Sequence, residues 1–222
     1  MRPELLKKPF LFLRHGETPW NAENRLIGQE DIPLSFAGIA QAYKAARLLK
    51  DIPIDCVVHS PLGRCTKTAM IVNAHLRAHT RVEDGLREAH LGEFQGCIKD
   101  EQKSYNVWLT NPPSDAETFP DFQKRVMRTL QNILLDDHDK ATLIVSHGGV
   151  FDALQKYLGL PKFYLPLATP VLIYPCHVAN RWKLCVMSDP FIQTLDMPTL
   201  VSRKNAKILS LVICNSAQKS HC

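Results

Sequence analysis

The sequence predicts a three-layer α/β sandwich, with a mostly parallel central sheet and helices on both faces. Short, continuously apolar runs alternate with amphipathic ones, and the order begins strand, helix, strand, helix. Two of the apolar runs stop in a histidine-glycine turn rather than in a turn chosen only for geometry. Strands of a parallel sheet are covered on both faces and so read as unbroken apolar runs, which is the pattern seen here. At 222 residues the chain can bury a sizeable core, and we read residues 1–190 as one domain with a C-terminal extension over residues 191–222.

Phe10 to Leu13 is the first buried strand, and it runs directly into Arg14-His15-Gly16. Leu34 to Lys50 follows as a helix, with Ser35 near its start to accept a backbone N–H and apolar residues at helical spacing. Ile54 to Ser60 is a second, β-branched strand, and Leu62 to about Arg77 a second helix. Beyond Arg81 the pattern is less regular, with one short helix near Gln102 to Leu109 and then the breaker Asn111-Pro112-Pro113-Ser114. Phe119 to Leu135 reads as a longer amphipathic helix. Ala141 to Gly149 is another apolar strand entering a polar turn, Val150 to Leu158 a helix, and Val171 to Tyr174 and Trp182 to Met187 two further strands. From Phe191 onward the pattern weakens, and no repeat or low-complexity tract is present.

Composition excludes several classes. The apolar fraction of 45% and charged fraction of 22% are those of a globular protein rather than a disordered one. The formal charge of +5 is spread along the chain, and Trp20, Trp108 and Trp182 are not interleaved with basic residues, so no nucleic-acid partner is expected. No segment approaches the ~20 apolar residues that span a bilayer. Seven cysteines without a C-x-x-C pair argue against a zinc site or disulfide framework, and we expect a cytoplasmic protein. Oligomeric state is not legible.

The chemistry is concentrated at strand ends. Ligands of open parallel sheets bind outside the carboxyl ends of the strands, so His15 and His147 should project into one crevice. Arg64, four residues after the strand that ends in Ser60, begins the next helix and can reach the same place. The glycines after each histidine allow tight turns and close approach of backbone to a ligand, and the helix start after Gly148 favours an anion. Arginine forks bind phosphate oxygens bidentately and keep their charge. Arg14, Arg64, two histidines and a helix N-terminus therefore describe a phosphate site.

The segments RHGETPWN, GQEDIPLSFAGIAQA, SPLGRCTKTA, LREAHLGEFQG and VSHGGV, in this order, resemble the histidine phosphatase superfamily, the phosphoglycerate mutase-like group of branch 1. The resemblance runs from about Phe10 to Met187. It implies that His15 is the nucleophile, that Arg14, Arg64 and His147 form the phosphate pocket, and that Thr18, Asn21 and the backbone of Gly148 are supporting contacts. It also implies that Glu88 is the proton donor. The chemistry asks for the same roles. An alkoxide is a poor leaving group, so its departure needs an in-line nucleophile, cations on the phosphoryl oxygens and a proton. His15 must be neutral to attack, whereas His147 beside a phosphate dianion can be cationic. Glu88 must be protonated in the first step and ionised in the second, and a neighbouring dianion favours the protonated form.

Competing readings leave less behind. There is no G-x-x-x-x-G-K-[ST], no G-x-S-x-G and no D-x-D-x-T, and the spacing of Cys176 to Arg181 is wrong for a cysteine phosphatase. The cysteines read as small buried fillers. His75 and His79, i and i+4 on the expected helix, lack a third ligand and read as a solvated face, so neither metal nor cofactor is expected. His59 and His90 either line the pocket or merely pack. Ala116-Glu117-Thr118, leading toward Arg125, resembles the G-E-S motif of the phosphatases of the family but has alanine for glycine and threonine for serine. Only 59 positions separate Glu88 from His147, short for the insertion by which mutases of the family keep water out. The expectation is thus a phosphomonoesterase acting on small phosphorylated metabolites through a phosphohistidine. A phosphoglycerate mutase is the runner-up, and a catalytically silent phosphate-binding regulatory protein the alternative from another class. Substrate choice should lie between Leu91 and Pro120.

Overall fold

The computed structural model describes residues 8–137, 139–176, 181–187 and 192–194. Its strands are β1 (Phe10–Arg14), β2 (Cys56–His59), β3 (His79–Val82), β4 (Thr142–Ser146), β5 (Pro170–Cys176), β6 (Arg181–Met187) and β7 (Ile192–Thr194). They form one sheet in the order β3-β2-β4-β1-β5-β6-β7. β3, β2, β4 and β1 are mutually parallel, and β5, β6 and β7 continue as an antiparallel meander. The sheet is therefore mostly parallel by strand direction, since only β5 and β7 run against the rest. β4 lies between β1 and β2, which are consecutive strands in the chain, so the sequence-distant residues after β1 and β4 become neighbours.

Alternation along each strand divides the interior into two cores. Phe10 and Phe12 of β1 join Val58, Ile144 and Val171 on one face, while Leu11 and Leu13 join Val57, Leu143, Val145 and Leu172 on the other. The first face is covered by α4 (Tyr105–Thr110), α5 (Phe119–Asp136) and α6 (Gly148–Leu158), and the second by α2 (Phe36–Leu49) and α3 (Gly63–Leu76). The three layers expected from the sequence are present. α5 buries Phe122, Val126, Leu130 and Ile133 at helical spacing, which explains why it was legible as a helix.

Ser35 caps α2 as expected, accepting from the Gly38 N–H. Other boundaries differ for local reasons. The short helix begins at Tyr105 rather than Gln102, because Asp100 Oδ1 accepts the N–H groups of Gln102 and Lys103 and holds them in a turn before the Ser104 cap. β3 was not anticipated. His79–Val82 is a polar, mostly exposed edge strand without alternation, and only its pairing with β2 makes it a strand. The same element corrects the reading of His75 and His79 as one helical face. The helix ends at Leu76, Arg77 adopts the left-handed conformation, and Asn73 bonds the backbone of Ala78 to turn the chain. The two histidines thus belong to different elements, and no cluster of metal-binding side chains occurs among the described residues. No helix of the described residues is long and apolar enough to cross a membrane. Of the expected extension over residues 191–222, only Ile192–Thr194 is described, as a strand on β6; the rest lies outside the described residues.

Candidate active site

The site forms where β1, β2 and β4 end side by side. Register places Arg14 against Ser146 and His59 against Val145, and the next residues continue the ladder: the His15 N–H donates to Ser146 O (2.9 Å) and the Ser60 N–H to Val145 O (3.1 Å). His15 and His147 are thereby brought together across 132 positions of sequence, with ring centroids 5.3 Å apart in an edge-on arrangement. A cavity of about 270 Å³ opens here, and Arg14, His15, Asn21, Arg64, Glu88 and Gly148 are among its walls.

His15 is 3% exposed. Its Nδ1 lies 2.7 Å from Gly16 O, and a carbonyl can only accept, so Nδ1 carries the proton and Nε2 keeps a free lone pair. Burial, and then the charges of Arg64 and Arg14, hold the ring well below the ordinary imidazole range. His147 is fully buried behind it, with Nε2 2.9 Å from Ser60 Oγ and the Cys65 sulfur 3.5 Å from the same atom. Burial, Arg64 and His15 keep it neutral as well, so the cationic His147 expected from the sequence requires the dianion itself. Cys65 is a buried thiol that also donates to Ser146 O, and burial pushes its pKa up, in keeping with an inert filler.

The arginines are held by uncharged acceptors that neutralise nothing. Arg64, 1% exposed, donates to Glu30 O (2.6 Å) and Gly28 O (2.7 Å), while its Nε is buried with no partner among the described residues. Arg14 donates from Nη1 to Leu165 O (3.0 Å) and to Tyr164 Oη (3.2 Å), and its Nε is likewise unpartnered. Buried guanidinium N–H groups with no partner are costly without an anion. The segment GQED therefore serves as a cradle: Gly28 and Glu30 fix Arg64, and Asp31 accepts from the Gly63 N–H at the start of α3 (2.6 Å).

Glu88 sits opposite, at the start of α6. Its Oε2 accepts the Gly149 N–H and its Oε1 the Ala89 N–H, both at 3.0 Å. A Cβ on Gly149 would collide with Oε1, and one on Gly148 would come within 3.2 Å of the Arg14 guanidinium carbon. These glycines begin the helix, and the close approach of Glu88 to Gly149 and of Arg14 to Gly148 leaves little room for a side chain at either. Gly16 also meets a neighbour, because a Cβ there would strike the backbone of Gly38 in α2, so its lack of a side chain serves helix docking.

The backbone that carries Glu88 is clamped from α5. Arg125 pairs bidentately with Glu117 (2.9 and 2.7 Å) and donates to Gly85 O and Arg87 O (both 3.0 Å) and Glu88 O (3.3 Å). Glu117 thus faces Arg125 rather than the cavity, and Thr118 caps α5 through the Asp121 N–H. Thr18 is buried and caps α1 (Pro19–Ala22), its backbone and hydroxyl both bonded to Asn21 Oδ1, so it orients Asn21 and does not itself line the cavity. His59 and His90 are not among the lining residues either. The cavity has further walls that the sequence did not single out: Arg25, Lys99, Tyr105, Asp152 and Tyr164. Burial and the neighbouring Glu88 push Asp152 up to about 6. The i+4 spacing of Asp152 from Gly148 on one helix was the available signal for that residue.

The sequence model for the histidine phosphatase superfamily (branch 1) matches residues 10–165. The chain is 31% identical over 191 residues to phosphoglycerate mutase-like protein 4 of Arabidopsis thaliana, covering 80% of this chain and 83% of the relative. It is 34% identical over 145 residues to the uncharacterized phosphatase PhoE of Bacillus subtilis, covering 64% and 72%. Among solved structures, mycobacterial glucosyl-3-phosphoglycerate phosphatase in complex with VO3 superposes with a TM-score of 0.70 at 27% identity, covering 80% of this chain and 97% of the other.

Proposed function

This chain belongs to branch 1 of the histidine phosphatase superfamily, and from that premise we propose that it is a phosphomonoesterase that hydrolyses small phosphorylated metabolites through a phosphohistidine. The observation that carries the reading is the protonation pattern of His15. A neutral ring with Nδ1–H tied to Gly16 O offers its Nε2 lone pair beside two arginines with unspent donors.

Nε2 attacks phosphorus as the ester bond breaks, and the leaving oxygen takes the Glu88 proton. Arg14, Arg64 and the α6 N-terminus at Gly148 offset the charge on the phosphoryl oxygens. The Nδ1–H···O bond to Gly16 supports the positive ring of the phosphohistidine. Water then attacks phosphorus, Glu88 carboxylate takes its proton, and His15 leaves as the neutral base. His147 gains its proton with the dianion's arrival and supports the transferring group.

Incubation with an alkyl phosphate in excess chelator should release inorganic phosphate and leave an acid-labile phosphoprotein. His15→Ala should abolish both, and Glu88→Gln should slow turnover roughly 10²–10⁴-fold. Full activity in either variant would remove the mechanism. Phosphoryl transfer between phosphoglycerates is the second reading, favoured by the additional cations Lys99 and Arg25 in the cavity wall. Interconversion of phosphoglycerates faster than phosphate release would select it.

A further inference from the structure

A second cavity, of about 320 Å³, adjoins the catalytic one, and Tyr105 and Asp152 belong to the walls of both. Leu109, Phe119 and Leu160 are its apolar walls, beside the polar Asn106, Gln155 and Lys162. Lys156 also lines it, but its ammonium sits 4.4 Å from the centroid of the Phe119 ring, so the cation is turned onto an aromatic face and its stem adds apolar surface. The shared wall retains hydrogen-bonding capacity. Tyr105 Oη is buried without a partner among the described residues and lies beside Gly149, and Asp152 is held by Gln155 through one carboxyl oxygen (2.7 Å).

Resting on the phosphomonoesterase reading, we infer that this second cavity is the subsite for the leaving alcohol, and that the substrate is a phosphate ester whose alcohol ends in an apolar, ring-sized body. Size argues for it first. The catalytic cavity alone falls below the roughly 300–1,000 Å³ usual for small-molecule sites, and with its neighbour it falls within that range. A three-carbon phosphate would leave the second cavity to water, against leucine and phenylalanine surface that gains nothing from it. Position argues for it next. Glu88, which protonates the leaving oxygen in the proposed mechanism, bonds the Gly149 N–H, and Tyr105 Oη would lie 3.1 Å from a Cβ on that same Gly149. The alcohol thus departs on the side where the second cavity lies. The walls are also local to the specificity segment: Tyr105 and Leu109 belong to α4, and Phe119 begins α5. The Tyr105 ring is fixed against Trp108, centroids 5.0 Å apart, which keeps this wall in place.

Phosphonates test the subsite without turnover. 4-Phenylbutylphosphonate should bind the wild-type protein at least about ten-fold more tightly than methylphosphonate, and Leu109→Trp, which fills the cavity from α4, should erase that gain. Leu160→Trp fills it from a different element and serves if the first variant does not fold by circular dichroism. The ratio of kcat/KM for 4-phenylbutyl phosphate to that for glycerol 3-phosphate should fall in parallel. No gain in the wild type, or a gain that survives in the folded variants, overturns the subsite. Selective phosphonate binding without phosphate release from any ester would uphold the subsite and remove the hydrolase reading. Hydrolysis through phosphorylated His15 without length preference would do the reverse.

Discussion

Replacing Arg125 by methionine keeps most of the side-chain volume and removes five hydrogen bonds, two to Glu117 and three to the carbonyls of Gly85, Arg87 and Glu88. The two side chains are 27% and 17% exposed, so the Glu117 charge left behind is largely but not wholly shielded from water. Breaking a fully buried pair costs about 3–5 kcal/mol, and the residual exposure places this one near 3 kcal/mol, a fall in melting temperature of roughly 6–12 °C for a domain of this size. The catalytic effect follows from what the clamp holds. A displacement of Glu88 on the order of 1 Å costs up to about 10²-fold in kcat, and it cannot exceed the loss caused by Glu88→Gln. Proton donation matters most for a poor leaving group, so the fall should be several-fold larger for an alkyl phosphate than for p-nitrophenyl phosphate. In the Glu88→Gln background, Arg125→Met should lower kcat no further than about two-fold, because coupled residues fail to add. Arg125→Lys restores charge without the fork and should recover stability more than rate. Equal losses on both substrates, or full additivity in the double variant, would refute the claim that Arg125 acts through Glu88.

Gly149→Ala should cut kcat roughly 10–100-fold, because its Cβ drives into Glu88, while thermal stability changes by no more than about 1 kcal/mol in a helix that tolerates alanine. Acid should destabilise the fold. His15 and His147 have folded-state values depressed below 6.5, so the unfolded chain binds more protons as pH falls beneath that point, and each contributes up to about 1.4 kcal/mol per pH unit of loss. Asp152, raised to about 6, works in the opposite direction below that pH and removes part of the slope. Melting temperatures measured from pH 7.5 to 5 without phosphate should therefore fall, and fall less for His15→Asn; an identical slope would refute the assignment. Of the described cysteines, iodoacetamide should label the partly exposed Cys97 and spare Cys65 and Cys56 in the folded protein, as peptide mapping by mass spectrometry will show.

Several elements were readable because their own side chains specify them. α5 carries its apolar stripe at helical spacing, α2 carries its own Ser35 cap, and the central strands are continuous apolar runs. β3 carries no such mark, since its strand character comes from hydrogen bonds lent by β2. What surrounds the glycines was not legible. Gly16 and Gly149 look like turn residues in the sequence, yet the backbone of Gly38 and the carboxylate of Glu88 are what exclude a side chain there. Glu117 and Thr118 were legible only as a departing G-E-S-like motif, and their parts as a clamp on Arg125 and a cap on α5 came from the packing.

By itself the sequence determined the layered α/β architecture, the family, and the residue types able to hold and attack a phosphoryl group, because periodicity and short motifs are local properties of the chain. Only the tertiary structure decided which nitrogen of His15 is free, that His147 rests against Ser60 and Cys65, that Arg125 holds the backbone of Glu88, and that Asp152 and Tyr105 stand between two cavities. Those facts depend on hydrogen-bond partners and buried volumes supplied by segments far apart in the chain, and no periodicity in any one segment encodes them.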